Sequence, residues 1–416
     1  MKVAVAHDWL TGMRGGEQVL EAILDLFPEA DVFTLICDRS KISSRIKSHS
    51  IQTSWMQWLP GVFKNYPKFL PIMPKAVRSL DVRGYDLIIS SSHCVIKAVK
   101  KDRDTVHVSY VHAPMRYIWD RYEDYFGKDV ASAATQWVGK TIRKSMQEWD
   151  RRWSQSDQVD RLIANSRFIK QKINEHYGRD AKVIHPFVNV KEFDFLPRDR
   201  RSGYYMIVSA LVPYKRIDLA VQAFNELKLP LKVIGKGSEL EKLEWKADHH
   251  IEFLGYQERE TILSLMRDAR AFVFPGKEDF GITPLESMAC GVPVIAFGEG
   301  GALDTVVDGK TGIYFKPQTV SALKEAIIQM ERSYREFEAT QCRDHALTFT
   351  CHDFQKQFLN EIKMAFEEKG RMTEEIRARL SLFSSESVQS ASSHLNESES
   401  EQDPNEANDS IQNPPQ

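Results

Sequence analysis

Short apolar runs alternate with amphipathic stretches along most of the chain. Lys2–Ala6 reads as a first strand, and Glu17–Leu26 follows as a helix with Val19, Leu20, Ile23 and Leu24 at helical spacing. Val32–Leu35, Leu87–Ser90, Val106–Tyr110 and Leu162–Asn165 predict further strands. Gln136–Trp153 predicts a long helix with Val138, Ile142, Met146, Trp149 and Trp153 on one face. A second set begins near Tyr204. Tyr205–Val208, Leu231–Ile234, Ile251–Leu254, Ala271–Phe274 and Val292–Ala296 read as strands, with helices over Ile217–Leu227, Glu260–Asp268 and Pro284–Ala289. This alternation is the signature of an α/β protein with parallel sheets covered by helices.

The charged stretch Phe193–Gly203, with Pro197, is the join. It sets the expected units at 1–195 and 196–350, with a cleft between them where a ligand would collect. An amphipathic helix, Phe354–Glu368, is expected within 351–370. From 384 to 416 the chain is rich in Ser, Glu, Asn and Pro. Such a tail cannot offset its own ordering entropy and is expected to be disordered.

Charge changes this picture modestly. The formal net charge is −2, and the seven carboxylates beyond Arg379 leave the body of the chain at +5. A mildly basic body suits phosphorylated ligands or an anionic membrane surface. No basic-aromatic platform of the kind that binds RNA is present, so nucleic acid is not an expected partner. The cysteines Cys37, Cys94, Cys290, Cys342 and Cys351 are odd in number and form no CxxC pair, which fits a reducing compartment. The opening MKVAVAHDWL lacks the long apolar core of a signal peptide, and no run approaches the roughly 18 apolar residues of a membrane span. The expected location is cytoplasmic, with room for contact at the inner face of the membrane.

The chemistry concentrates in Glu278–Gly301, EDFGITPLESMACGVPVIAFGEGG. An apolar strand leads through a Gly-containing turn into a helix N-terminus, a place to bind a phosphate-bearing ligand. Glu278 leaves the strand, and Glu286 lies in the helix. Thr283-Pro284-Leu285-Glu286 also matches a capping box with Thr283 as N-cap and Pro284 at the first helical position. Capping and ligand binding are compatible for Glu286, because a carboxylate has two oxygens. After the first strand of the second half, Ser209-Ala210-Leu211-Val212-Pro213-Tyr214-Lys215-Arg216 offers a lysine able to neutralise a diphosphate or to stand solvated at a helix start. In the first half, Gly15-Gly16-Glu17 permits positive φ and close backbone approach, or is an ordinary tight turn. His112, in Tyr110-Val111-His112-Ala113-Pro114-Met115-Arg116-Tyr117, stands at a strand end. His93 has a similar position, and His7 and Asp8 end the first strand and are expected to line the acceptor side.

These motifs resemble the retaining glycosyltransferases of family 4. The pattern E-x7-E, with Phe280-Gly281 inside it and P-L-E-S-M-A-C-G-V-P-V-I-A after it, carries the resemblance. It is specific in the second half and diffuse in the first, over roughly Met1 to Glu368. It implies a GT-B fold, two Rossmann-like domains facing across a cleft, and a hexose moved from a nucleotide diphosphate to an acceptor hydroxyl. The resemblance implies that Glu278 and His112 face the sugar, that Lys215 and Arg216 meet the diphosphate and that Glu286 meets the ribose. Gly15, Gly16 and the turn Phe280, Gly281, Ile282 and Thr283 would lie along the donor. One departure is visible: the family's Arg five positions before the Lys is Ala210 here.

The tracts VPYKRID and HAPMRYIWD look most like bacterial mannosyltransferases of surface polysaccharide synthesis, which makes GDP-mannose the leading donor. No Asp-x-Asp motif stands at a strand end and no His/Cys cluster has zinc spacing, so the expectation is a metal-independent reaction without a cofactor beyond the sugar nucleotide. The acceptor is expected to be a saccharide or a lipid-linked one. Trp55–Arg78 interleaves Trp55, Trp58, Phe63, Tyr66 and Phe69 with Lys64, Lys68, Lys75 and Arg78, which fits a packed helical excursion with a basic outer face or a membrane interface. Two other classes stay open: a GT-B nucleotide-sugar 2-epimerase, and a catalytically weak partner subunit of a transferase.

Overall fold

The computed structural model describes residues 1–120, 122, 133–189, 192–194, 196 and 201–381. The tail beyond 384 and the side chains of Val138 and Ile142 lie outside the described residues.

The first half holds seven parallel strands. They are β1 (Val3–His7), β2 (Asp31–Thr34), β3 (Ile51–Thr53), β4 (Leu87–Ser92), β5 (Val106–Val111), β6 (Arg161–Ala164) and β7 (Lys182–Val183), in the spatial order β3-β2-β1-β4-β5-β6-β7. Register pairs Val5 with Val32 on one side and Ile89 on the other. Strands β1, β4 and β5 are buried along their whole length, as parallel strands covered on both faces must be. The helix Gly15–Leu26 covers one face through Val19, Leu20, Ile23 and Leu24, the residues its spacing predicts.

The second half holds six parallel strands. They are β8 (Tyr205–Val208), β9 (Leu231–Ile234), β10 (Ile251–Gly255), β11 (Ala271–Phe274), β12 (Val294–Phe297) and β13 (Gly312–Phe315), in the order β10-β9-β8-β11-β12-β13. Both sheets are therefore doubly wound. The strand order reverses between β1 and β4 in one and between β8 and β11 in the other, and ligands bind outside the carboxyl ends of strands at such reversals.

The helix Cys351–Glu368 returns to the first half. Phe354, Phe358, Leu359, Ile362, Ala365 and Phe366 bury against the same core as Leu20, Ile23 and Tyr110. Each large side chain so buried contributes roughly 1.5–3 kcal/mol. Arg161 on β6 fastens its outer face by donating to Glu361 at 2.8 Å and to Glu368 at 2.5 Å. The described chain thus returns to the first half after the second.

The excursion after β3 is a run of short helical turns, with Met56, Val62, Leu70, Met73, Ala76 and Val77 buried. Its outer face leaves Trp58 at 84%, Trp55 at 41% and Phe63 at 37% exposure. Among the described residues, no helix is long and apolar enough to cross a membrane.

Candidate active site

The two reversals place two side-chain clusters at the carboxyl ends of the strands. In the second half the chain leaves β8 through Ser209–Val212, makes a 3-10 turn over Pro213–Lys215, and enters the helix Ile217–Leu227 through Arg216, whose φ is +54°. It leaves β11 through Pro275-Gly276-Lys277 to Glu278. A Cβ on Gly276 would stand 3.0 Å from the Lys215 backbone, so the glycine lets the two strand ends come together without displacement. The result is a direct ion pair between Lys215 and Glu278, both largely buried. Gly300 and Gly301 pack on the other side of this turn. Gly301 donates its N–H to the Glu278 carbonyl at 2.8 Å, and a Cβ on Gly301 would fall 2.2 Å from the Phe280 Cα.

The helix after the turn runs over Ile282–Ala289, with Gly281 as N-cap at φ +92°. This corrects the capping-box reading. Thr283 lies inside the first turn, Pro284 is the third helical residue, and a Gly at positive φ starts the helix. Glu286 is buried and accepts from Arg259 Nη1 at 2.6 Å. Arg259 also reaches Glu192 at 3.4 Å and lies over the Phe193 ring. Arg216 does not join Lys215. Its guanidinium turns to Asp218 at 3.1 Å and Gln318 at 3.4 Å.

The cluster of the first half is built differently. Asp8, fully buried, accepts backbone N–H groups from His93, Cys94, Val95 and Ile96 at 2.8–2.9 Å and so caps the turn after β4. Burial outweighs these donors and keeps its carboxyl above the ordinary value. His7 is fully buried as well. The expectation that His7 and Asp8 line the acceptor side is thus corrected, because their side chains are spent inside the fold. Ser91 Oγ lies 3.0 Å from His7 Nδ1 and 2.8 Å from His112 Nε2. Glu17 Oε1 stands 3.8 Å from His7 Nε2. Burial pushes the Glu17 carboxyl up, but His7 and His93 more than offset it and hold the group below its usual range. Burial, together with neighbouring positive groups, drives His93 and His112 well below the usual histidine value, so both are neutral at pH 7.

Gly15 and Gly16 begin the helix Gly15–Leu26, and neither takes the positive φ that the sequence reading allowed. A Cβ on Gly16 would lie 3.8 Å from the His112 ring, and one on Gly15 would meet the tip of Ile282, in the opposite half, at 2.6 Å. The structure therefore brings Gly15 of one half against Ile282 of the other, with Gly16 beside His112. Further contacts join the halves at the same place. Arg116 pairs with Asp279, and Ser166 Oγ donates to the Asp279 carbonyl at 2.5 Å. Burial disfavours the Arg116 charge, yet Asp279, then Tyr214 and Glu278, hold its guanidinium above its ordinary value. Arg167 pairs with Asp304 nearby, and the His185 ring stacks on Phe280 at 5.5 Å.

Sequence reasoning missed Arg259, Asp279, Ser91 and Glu17 as parts of these clusters and gave Arg116 no role. For Arg116 and Asp279 a signal exists, since each directly follows or sits within a motif already singled out. For Arg259 none does.

Comparison with known proteins fits this architecture. Residues 14–192 match the family model described as Glycosyltransferase Family 4, and residues 190–343 the one described as Glycosyl transferases group 1. An uncharacterized glycosyltransferase of Methanocaldococcus jannaschii is 34% identical over 176 residues, 41% of this chain and 49% of that one. A GDP-mannose-dependent phosphatidylinositol monomannoside mannosyltransferase of Mycolicibacterium smegmatis is 31% identical over 192 residues, 39% of this chain and 50% of that one. An alpha-1,3/1,6-mannosyltransferase of Kluyveromyces lactis is 30% identical over 203 residues, 36% of this chain and 40% of that one. The chain spans half or less of the length of these relatives. Among solved structures, Anabaena HepE in complex with UDP and glucose superposes with a TM-score of 0.66 at 18% identity, covering 87% of this chain and 99% of that one. That likeness shows the fold, two Rossmann-like domains of GT-B type.

Proposed function

We propose that this chain, which belongs to glycosyltransferase family 4, moves a hexose from a nucleotide diphosphate sugar to an acceptor hydroxyl with retention of anomeric configuration. One observation carries the reading: Lys215 and Glu278 meet at the strand reversal of the second half, beside the turn whose Ile282 faces Gly15 of the first half, next to Gly16 and His112. A diphosphate placed there finds the Lys215 ammonium, backbone N–H groups and the start of the helix Ile282–Ala289. When the sugar–phosphate bond breaks, the leaving diphosphate gains charge, and these fixed groups offset it. A carboxylate beside them, Glu278, suits sugar hydroxyls, and the neutral His112 ring adds one more hydrogen bond. Glu286, held by Arg259, is the group assigned to the ribose. The leaving phosphate then takes the acceptor proton on the same face, and no metal or cofactor is assigned a step.

Mannose from GDP-mannose is the leading donor, because the chain partly matches two mannosyltransferases, one of them GDP-mannose-dependent. The acceptor is assigned as a saccharide or a lipid-linked one, reached from a cytoplasmic membrane face. Exposed Trp55, Trp58 and Phe63 with Lys64, Lys68 and Lys75, in a stretch from Ile51 to Leu80 without a single carboxylate, favour such peripheral contact.

A second reading, a partner subunit of weak activity, draws on Ala210 and on Arg216 being turned to Asp218. Incubation with single sugar nucleotides separates the two. Slow release of free nucleotide from one donor supports the transferase, and no release from any donor supports the partner subunit.

A further inference from the structure

The cations at the strand ends of the second half are matched within that half. Lys215 pairs with Glu278, Arg216 with Asp218 and Lys277 with Glu299. These pairs cancel, whereas a diphosphate brings negative charge on each phosphate. Arg116 is wired differently. It follows His112 in the first half, yet its carboxylate partner, Asp279, belongs to the second half. Asp279 is the residue next to Glu278, and its carbonyl is held by Ser166 Oγ at 2.5 Å. The Arg116 charge bears on His93 and His112 of its own half and on Tyr214 and Glu278 of the other. Tyr214 in turn carries Lys215 Nζ over its ring at 5.5 Å. The guanidinium therefore lies within electrostatic reach of both strand-end clusters. Its side chain is 34% exposed, so a ligand in the cleft can reach it.

We infer that Arg116 reaches across the cleft as a second cation for the diphosphate, exchanging Asp279 for phosphate oxygens when a nucleotide binds. The assignment rests on the transferase reading of the site. A guanidinium suits the exchange, because its charge is permanent and its planar fork of donors fits a phosphate as it fits a carboxylate. Lys215 acts beside it as a point charge. Arg116 stands on the His112 side, where the phosphate next to the sugar would lie. A nucleoside monophosphate lacks that phosphate and so lacks the contact.

Calorimetric titration of the full chain with GDP, GMP, UDP and UMP decides it, using variants checked for unchanged melting. The wild type should bind one diphosphate more tightly than its monophosphate. Arg116→Ala should weaken that diphosphate about 10- to 100-fold, the scale of a charge-assisted hydrogen bond, and leave the monophosphate within about twofold. Arg116→Lys should recover part of the loss. Asp279→Asn removes the resting partner and should bind the diphosphate at least as tightly as the wild type. If the Arg116–Asp279 pair only fastened the halves together, Asp279→Asn would weaken the diphosphate as Arg116→Ala does, and that result overturns the assignment. Should Arg116→Ala melt early, Arg116→Lys and Asp279→Asn carry the same comparison. Diphosphate affinity unchanged in the Arg116 variants also overturns the assignment, while the donor site at Lys215 stands. A wild type that binds neither diphosphate removes the donor site itself, and this assignment with it.

Discussion

The two strand-end clusters occupy equivalent places in two similar sheets and are wired in opposite ways. In the first half the side chains are mostly buried, and they bond to one another and to backbone. Asp8 holds four N–H groups and Ser91 bridges two histidines. In the second half the side chains form ion pairs, the largely buried Lys215 with Glu278 and the half-exposed Arg259 with the buried Glu286. Buried hydrogen-bond networks set geometry and resist change. Charge pairs near solvent can exchange partners, as a diphosphate would require. The fold therefore supplies two positions, and their surroundings decide which holds shape and which handles charge.

The comparison breaks first at Asp8. Asp8→Ala strands four buried N–H groups and should cost on the order of 3–5 kcal/mol, seen as a large drop in urea midpoint. Glu278→Gln at the other cluster should cost less, about 1–2 kcal/mol, because a single ion pair is lost and the amide oxygen can still accept from Lys215. Next comes Lys215→Ala, expected to lower turnover of the donor about 10²- to 10³-fold with melting preserved, measured by nucleotide release. Equal loss of stability in Glu278→Gln and Asp8→Ala would erase the contrast.

A pH scan sharpens it further. His93 and His112 lie well below the usual histidine value, and His107, buried between Ser90 and Gln158, is pushed down by burial to about 3. Below about 6.5 the unfolded chain binds protons that the folded chain refuses. Stability should therefore fall as pH drops from 6.5, by up to about 1.4 kcal/mol per unit for each such histidine. His107→Gln should flatten part of that slope. A melting temperature rising from pH 6.5 to 5 would contradict the neutral state of these histidines. The smallest effect is expected at Arg259. Arg259→Ala should raise the donor KM about two- to fivefold with kcat nearly constant, the scale of a partly exposed ion pair.

Much of this was legible in the chain. The long apolar runs gave β1, β4, β5, β8, β9 and β11 within a residue or so, because strands buried on both faces have no polar alternation to confuse them. The short or mixed strands β3, β7 and β13 were not read, since Ile51–Thr53 and Lys182–Val183 are too brief and Gly312–Phe315 opens on Gly. Lys215 and Glu278 were legible as strand-end charges. That they pair with each other was not, because Gly276 makes the approach. Arg259 stood beyond reach, as nothing local links it to Glu286, 27 residues away. Asp8 was misread for the same reason. Its four donors lie 85 to 88 residues on, and an acid at a strand end looks the same whether it faces a ligand or a backbone turn.

The most direct test is calorimetric titration of the wild type and Lys215→Ala with GDP-mannose, UDP-glucose, UDP-N-acetylglucosamine and their free nucleotides. The account predicts selective binding of one nucleotide family by the wild type, GDP-mannose first, and its loss in Lys215→Ala. Absence of binding to any of them, or binding untouched by the substitution, would contradict a donor site at the second strand reversal.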